Sequence, residues 1–354
     1  MSDDAPPAAS PGTVVLLGAG ASAGAGFPTS PALHKLLMER LSPIYSNLSA
    51  LVFRDDQDVD PERLFRVLEF LNALEVPDRA YEQARGLEAS DIAALVDSWH
   101  PDVEEYLTSR HRSVRGSASQ RVIDQLWDAL ADIYSLAIPP VDKRLDYLQD
   151  LVVSMRGQTI VTLNYDDALE HVMGRAFTFR IDNAPYPQPL AQGIERKDVL
   201  RLIRLHGSLN WRRDNTTGSV DVIPVPTLSF RNDPGYWHGH TPGVIFGAGN
   251  KLRPDGPYLD LYQEFKMVLA DARQVVVIGY SFRDAHVNEA LRLWVLEQAK
   301  DDDLLRIGCL AADAPTMVRA WTEERDLDVE VVSGPAEDVM SDLLAPRPRL
   351  MSRS

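Results

Sequence analysis

Four short groups of glycine and polar residues follow apolar runs in this chain, and each could bind a ligand or move a proton. The first group is the glycine-rich stretch 18–26 (GAGASAGAG), which follows the apolar run 14–17 (VVLL). Glycines let a backbone approach a pyrophosphate closely, and free N–H groups at a helix start supply donors. The stretch therefore indicates a dinucleotide site, and an ordinary tight strand-to-helix turn is the alternative.

The second group is Asn164 with Asp166, directly after the apolar run 159–163. An amide and a carboxylate this close could orient a carboxamide and a water, and helix capping is the alternative for one of them. The third group is His206, which follows the run 199–205 and precedes a Gly-Ser pair. An imidazole on such an open turn would have a pKa suited to proton transfer near neutrality, although a structural histidine is the alternative.

The fourth group follows the apolar run 274–278 and contains Gly279 and Ser281. Ser281 and the next helix start offer donors to phosphate or to ribose hydroxyls. Asp284 lies at that helix start, where a capping role explains it.

Strands must end at each of these groups, and helical patterns separate the strands along most of the chain. That alternation predicts an α/β fold, a Rossmann-like doubly wound parallel sheet with a large inserted helical module. We expect a disordered N-terminus at 1–12, a nucleotide-binding core formed by 13–41 and 156–345, and a loose tail at 346–354. The helical insertion would occupy residues 42–155.

A dehydrogenase would show a second strand ending in an acidic residue about 20 residues after the glycine turn. Here the chain instead runs into an amphipathic helix over 30–41, with Ser30 as the expected cap, and no clear strand returns until residue 159. This interruption argues against a hydride-transfer enzyme.

Composition restricts the possible partners. The net charge is −16, which disfavours broad binding to nucleic acid or to an anionic membrane. The single cysteine, Cys309, excludes a disulfide framework and a multi-cysteine zinc site. No apolar stretch is long enough to span a bilayer, and the first 12 residues lack the pattern of a secretory leader, so a cytoplasmic location is expected.

Together and in this order, the four groups resemble the sirtuin fold, and most closely the bacterial sirtuin-like branch of NAD-hydrolysing antiphage effectors. The resemblance covers residues 13–30 and roughly 158–335. It implies that Asn164 orients the nicotinamide ribose and an attacking water, that Asp166 meets the nicotinamide amide, and that His206 is the catalytic base. The residues that it implies for NAD binding are Gly18, Ala19, Gly20, Ala21, Ser22, Phe27, Gly279 and Ser281.

Sirtuin deacylases carry a four-cysteine zinc module after the catalytic histidine, and this chain has no cysteine there. The resemblance therefore implies an NAD⁺ glycohydrolase that uses NAD as substrate, without zinc, and releases nicotinamide and ADP-ribose. An NAD-dependent protein deacylase and a non-catalytic NAD or ADP-ribose sensor are the alternatives.

Unregulated NAD loss would kill a cell, so we expect a gated effector of antiphage (abortive infection) defence. The helical segment is the natural place for contacts within a homo-oligomer or with a partner protein. By resemblance, that partner would be a HerA-family ATPase or a short Argonaute.

Overall fold

The computed structural model describes most of the expected core and part of the helical insertion. The described segments are residues 12–41, 118–134, 143–173, 180–182, 199–214, 219–222, 240–246, 256–300, 303–310 and 316–345, with the single positions 9, 49, 61, 62, 64, 65, 68, 197 and 217. The expected tail at 346–354, most of the N-terminus at 1–12 and most of the insertion at 42–155 lie outside the described residues.

The strands of the described segments form two sheets. Their bounds are β1 Thr13–Leu17, β2 Thr159–Thr162, β3 Arg180–Asp182, β4 Val199–Arg204, β5 Gly207–Asp214, β6 Val220–Val222, β7 His240–Val244, β8 Gln274–Ile278, β9 Leu304–Leu310 and β10 Asp328–Ser333.

The described helices lie between and after these strands. They are α1 Ser30–Arg40, α2 Ala118–Tyr134, α3 Asp146–Ser154, α4 Ala168–Met173, α5 Tyr258–Ala270, α6 Ala285–Leu293, α7 Thr316–Arg325 and α8 Ala336–Leu344. Single 3₁₀ turns occur at Ala19–Ser22 and Lys143–Leu145, and a π-helical turn, Trp294–Gln298, continues α6. Within these segments, no helix has both the length and the apolar character that a bilayer crossing requires.

The larger sheet has seven strands in the order β10-β9-β8-β1-β2-β4-β3, and all its neighbours pair in parallel. The central strands β1 and β8 are unbroken apolar runs whose residues are all buried. Such runs fit strands that helices cover on both faces. The sheet therefore confirms the parallel, doubly wound fold predicted from the sequence.

The carboxyl ends of the central strands meet at one edge. Leu17, the last residue of β1, lies opposite Thr162 of β2 and Ile278 of β8, and Thr162 lies opposite Arg204 of β4. In open α/β sheets, ligands bind at this edge, beside the strand where the winding direction reverses. All four groups of candidate residues consequently emerge at the same edge.

Helices bury alternate residues of the sheet in two cores. Val15 and Leu17 of β1 face the core that contains α1, α2, α3, α4 and α8, whereas Val14 and Leu16 face the core with α5, α6 and α7. Helix α2 belongs to the expected insertion, yet its Leu126 is completely buried in the first of these cores. This part of the insertion is thus packed into the same core as the sheet.

A small antiparallel sheet, β6-β5-β7, begins immediately after β4. Gly207 opens β5 with a φ of +78° and pairs with Val244 of β7. A β-carbon at Gly207 would collide with the carbonyl oxygen of Gly243, so only glycine fits this junction. The junction leaves His206 in a two-residue turn between the two sheets.

Two local predictions were wrong. The glycine-rich stretch leads into one 3₁₀ turn rather than an α-helix, because glycine is a poor helix former and this turn packs against the end of β8. Helix α1 begins only at Ser30, and Thr29 takes the N-cap position without a side-chain hydrogen bond.

Candidate functional site

Two glycine-bearing loops interlock at the carboxyl edge of the sheet. The amide of Gly18 donates to the Ile278 carbonyl (2.9 Å), and the amide of Gly20 donates to the Gly279 carbonyl (3.0 Å). A β-carbon at Gly18 would lie 2.6 Å from the Gly279 oxygen, and one at Gly279, whose φ is +65°, would collide with the Ala21 nitrogen. The contact between the two loops therefore already requires these glycines.

The side-chain amide of Asn164 is hydrogen-bonded to the first of these loops. Its Nδ2 donates to the Gly18 carbonyl (3.0 Å) and to the Ser22 hydroxyl (3.0 Å), and its main-chain N–H donates to Thr162 Oγ1 (3.1 Å). Both hydrogens of the amide are used, so Oδ1 is the atom that can accept a further hydrogen bond. The residue is 7% exposed, and the two bonds from Nδ2 fix the orientation of its amide.

Ser22 connects Asn164 to Asp166. Because the Ser22 hydroxyl accepts from Asn164, its own hydrogen is available for the Asp166 carboxylate, with which it is hydrogen-bonded. Burial raises the pKa of Asp166 to about 6, although hydrogen bonds from Ser22 and the Ala168 amide and the charge of Arg204 oppose the rise. The carboxyl group therefore titrates within about one pH unit of neutrality.

His206 lies in the turn after β4 and is 6% exposed. The expected open turn is wrong, because β5 and β7 fold over the histidine and the Ile245 amide donates to its carbonyl (2.8 Å). Its Nε2 lies 2.9 Å from Oδ2 of Asp284. A cavity of about 20 Å³ lies against this pair, which is room for about one water.

Tyr165 occupies the position between Asn164 and Asp166 and contacts three other parts of the protein. Its hydroxyl oxygen lies 2.7 Å from the Ile245 carbonyl and 2.8 Å from Oε1 of Glu62, and its ring centroid is 6.2 Å from that of His206. Burial, followed by the Glu62 charge, raises the pKa of Tyr165 well above its ordinary value. The phenol consequently stays protonated and joins the insertion to the site.

Aromatic rings extend this connection. Phe246 lies 5.5 Å from Tyr165, 5.4 Å from Phe65 and 6.1 Å from Trp127, measured between ring centroids. Phe65 and Trp127 are also 4.9 Å apart, edge to face. Both lie in the expected insertion, so its helices pack directly on the turn that carries Asn164 and Asp166.

The remaining predicted site residues differ in their surroundings. Ala19, Gly20 and Ala21 form the 3₁₀ turn beside Asn164, and Ser281 is exposed on the loop after Gly279. Phe27 is 3% exposed and stacks on Tyr134 of α2 at 6.4 Å, so its ring lies in the core.

Sequence reasoning missed three residues that interact with this site, two by direct contact and Arg204 by its charge on Asp166. Asp284 was assigned only its helix cap, because a capping aspartate and one with a second partner look the same in a sequence. Glu62 reaches Tyr165 only through tertiary packing, and no local pattern signals it. Arg204 is 2% exposed and ends an otherwise largely apolar strand, and a charged residue at such a position is a detectable signal.

Part of the chain that forms this edge of the sheet is similar to a known protein family. Residues 158–307 match a family model described as a SIR2-like domain. The matched region contains Asn164, Asp166, His206 and Asp284 but not the glycine loop at 18–22. A search of curated proteins gives no significant match.

Solved structures of Sir2 proteins align along most of the chain. A Sir2 homologue in complex with NAD is 15% identical, with 94% of this chain and 87% of that chain covered and a TM-score of 0.45. A structure of a Sir2 enzyme, solved to examine mechanism and regulation, is 16% identical, with 94% and 90% covered and a TM-score of 0.47. A Sir2 homologue mutant with 2′-O-acetyl ADP ribose is 15% identical, with 94% and 90% covered and a TM-score of 0.45.

Proposed function

We propose that this chain is an NAD⁺ glycohydrolase, which hydrolyses NAD⁺ to nicotinamide and ADP-ribose. The observation that carries the proposal is the fixed amide of Asn164, joined through Ser22 to the buried carboxyl of Asp166. His206 lies in the turn after β4, which is next to β2 in the sheet, and all three residues fall within the SIR2-like match.

These groups are suited to the chemistry at C1′ of the nicotinamide ribose. Oδ1 of Asn164 can accept a hydrogen bond from a ribose hydroxyl or from the attacking water, because Nδ2 is already bound to the protein. Asp166 can accept from the carboxamide of nicotinamide. The glycine loop and Ser281 would hold the pyrophosphate and the adenosine.

The reaction replaces one bond to C1′ with another. The C1′–N bond breaks, and its electron pair goes to the pyridine nitrogen, so that nicotinamide leaves neutral. Water then bonds to the oxocarbenium-like C1′ and gives up a proton, which His206 accepts. A negative charge on Asp166 beside the developing positive charge favours this transition state.

The test is NAD⁺ consumption by the purified protein, with nicotinamide and ADP-ribose quantified by chromatography. Asn164→Ala and His206→Ala should each lower turnover by about a hundredfold or more. His34→Ala, on helix α1, is the matched histidine control and should keep wild-type turnover. If NAD⁺ remains intact in the assembly that is active in cells, the glycohydrolase proposal is wrong.

The same assay separates the alternatives. A deacylase would release nicotinamide only when an acetyl-lysine peptide is added. A sensor would bind NAD without consuming it and would keep its signalling in the His206→Ala variant.

We also propose that the activity is gated and serves antiphage defence in the cytoplasm. Tyr165 supports gating, because its hydroxyl contacts Glu62 in the insertion while its neighbours Asn164 and Asp166 form the site. Assembly as a homo-oligomer, or with a HerA-family ATPase or a short Argonaute, would act on the insertion.

Native mass spectrometry with turnover assays tests gating. The isolated chain should consume NAD⁺ more slowly than the chain co-purified with its partner or assembled with itself. Equal rates per chain in every assembly state would remove the basis for gating. Expression during phage infection, with cellular NAD measured over time, tests the defence role.

A further inference from the structure

Asp284 uses its two carboxyl oxygens for different partners. Oδ1 accepts from the main-chain amides of His286 (3.1 Å) and Val287 (3.3 Å), which caps helix α6. Oδ2 lies 2.9 Å from Nε2 of His206, and both side chains are only 7% exposed. Capping alone would have been satisfied by one oxygen, so the second contact is a separate feature.

The loop that carries Asp284 is itself held in place by hydrogen bonds. The Asp284 amide donates to the Tyr280 hydroxyl (3.0 Å), which lies 2.9 Å from Oδ1 of Asn288. Nδ2 of Asn288 in turn donates to the Phe282 carbonyl (2.7 Å), at a residue with a φ of +56°. Supporting contacts of this kind fix the position of a functional side chain more tightly than packing alone.

Two tyrosines lie near enough to Asp284 to sense its charge. Burial first and then the charge of Asp284 raise the pKa of Tyr280 and of Tyr262, so both stay protonated. Tyr165, whose ring centroid lies 6.2 Å from that of His206, is also held protonated by burial. Of these four side chains, Asp284 is the carboxyl group that lies against the imidazole, at 2.9 Å.

We propose that Asp284 is a positioning residue whose Oδ2 accepts a hydrogen bond from the Nε2–H of His206, so that Nδ1 is left as the nitrogen that accepts a proton. The inference rests on the proposed glycohydrolase, in which His206 takes a proton from water. A carboxylate hydrogen-bonded to one imidazole nitrogen selects the tautomer, orients the ring and stabilises the imidazolium that forms. Asp284 thereby connects the loop after β8 to the histidine after β4.

The test begins with Asp284→Asn. Asparagine caps helices as well as aspartate does, so α6 should keep its start. The new side-chain amide, however, can donate where the carboxylate accepted. We expect kcat for NAD⁺ to fall about a hundredfold or more while KM changes less than about twofold. Asp284→Ser retains a capping oxygen but is too short to reach the imidazole. It should therefore also lower kcat while leaving KM almost unchanged.

Asn288→Ala is the matched control, because it disturbs the same loop without touching His206. Because Asp284 keeps its own capping bonds in this variant, kcat should fall much less than it does in Asp284→Asn. A kcat loss in Asn288→Ala as large as that in Asp284→Asn would overturn the proposal, since loop geometry would then explain both.

The tautomer of His206 gives a readout that does not depend on turnover. Long-range nitrogen–proton spectra of the labelled full chain report which nitrogen of each of the eight histidines carries the proton, and His206→Ala assigns the signal. Wild type should show the Nε2–H form and Asp284→Asn the Nδ1–H form. The same tautomer in both proteins would refute the role of Asp284. Absence of NAD⁺ hydrolysis with the tautomer change intact would refute only the proposed reaction.

Discussion

Asp166→Asn should change how the stability of the protein depends on pH. Burial raises the pKa of Asp166 from an ordinary 3.8 to about 6 in the folded protein. As pH rises, Asp166 therefore loses its proton at a lower pH in the unfolded chain than in the folded protein. The free energy of unfolding consequently falls as pH rises through this interval. At 1.36 kcal/mol per pH unit, the charged carboxylate lowers the free energy of unfolding by about 3 kcal/mol above pH 6. This effect is absent below 3.8, where both states are protonated.

Asparagine is neutral throughout and can still accept from the Ala168 amide. The free energy of unfolding of Asp166→Asn minus that of wild type should therefore rise by about 2.4 kcal/mol between pH 4 and pH 7. Urea titrations followed by tryptophan fluorescence measure it, since the chain has six tryptophans. Asp260→Asn, on the exposed side of α5, is the control for introducing an asparagine. A difference that stays flat or falls with pH would refute a buried, raised carboxyl at Asp166.

Three further predictions concern single contacts. Tyr165→Phe removes a buried hydroxyl with two acceptors and should lower the free energy of unfolding by about 1–3 kcal/mol in urea, and an unchanged midpoint would contradict this. Gly279→Ala should lower both the thermal midpoint and the NAD affinity measured by calorimetry, because its β-carbon would collide with the Ala21 nitrogen. Wild-type values would show that the two loops do not need a glycine here. Glu264→Gln should cost about 2 kcal/mol in urea, because the glutamine amide can accept only one of the two 2.7 Å bonds from Arg201 and carries no charge. A loss near zero would show that the pair is neutral.

The sequence could predict the parallel sheet because its strands are short apolar runs with helical patterns between them. β1, β8 and β9 are buried along most of their length, so each is visible in the local sequence as a short, mainly apolar run. The ends of β2 and β4, which are also short apolar runs, then located Asn164 and His206. The antiparallel sheet escaped prediction because β5 carries polar residues on one side and pairs with β7 across a long stretch of chain.

The parts of the candidate site that could not be predicted all depend on contacts between distant residues. Glu62 and Tyr165 are separated by 103 positions, and Asp284 and His206 by 78. No local pattern records such a contact, because each residue has an adequate local explanation. Asp284 is a good helix cap by itself, and Glu62 is an ordinary acid in the first turn of a helix.

The interlocked glycine loops restrict which amino-acid substitutions this protein can accept during evolution. The α-carbons of Gly18 and Gly20 rest against the backbone of Gly279, so neither loop tolerates a side chain unless the other retreats. A deep mutational scan should therefore find almost no tolerated single substitution at these three positions, while paired changes recover folding more often than chance. New ligand preferences would have to arise at neighbours such as Ser281, whose side chain is exposed. The interlock thus preserves the backbone of the site while its rim remains free to diversify.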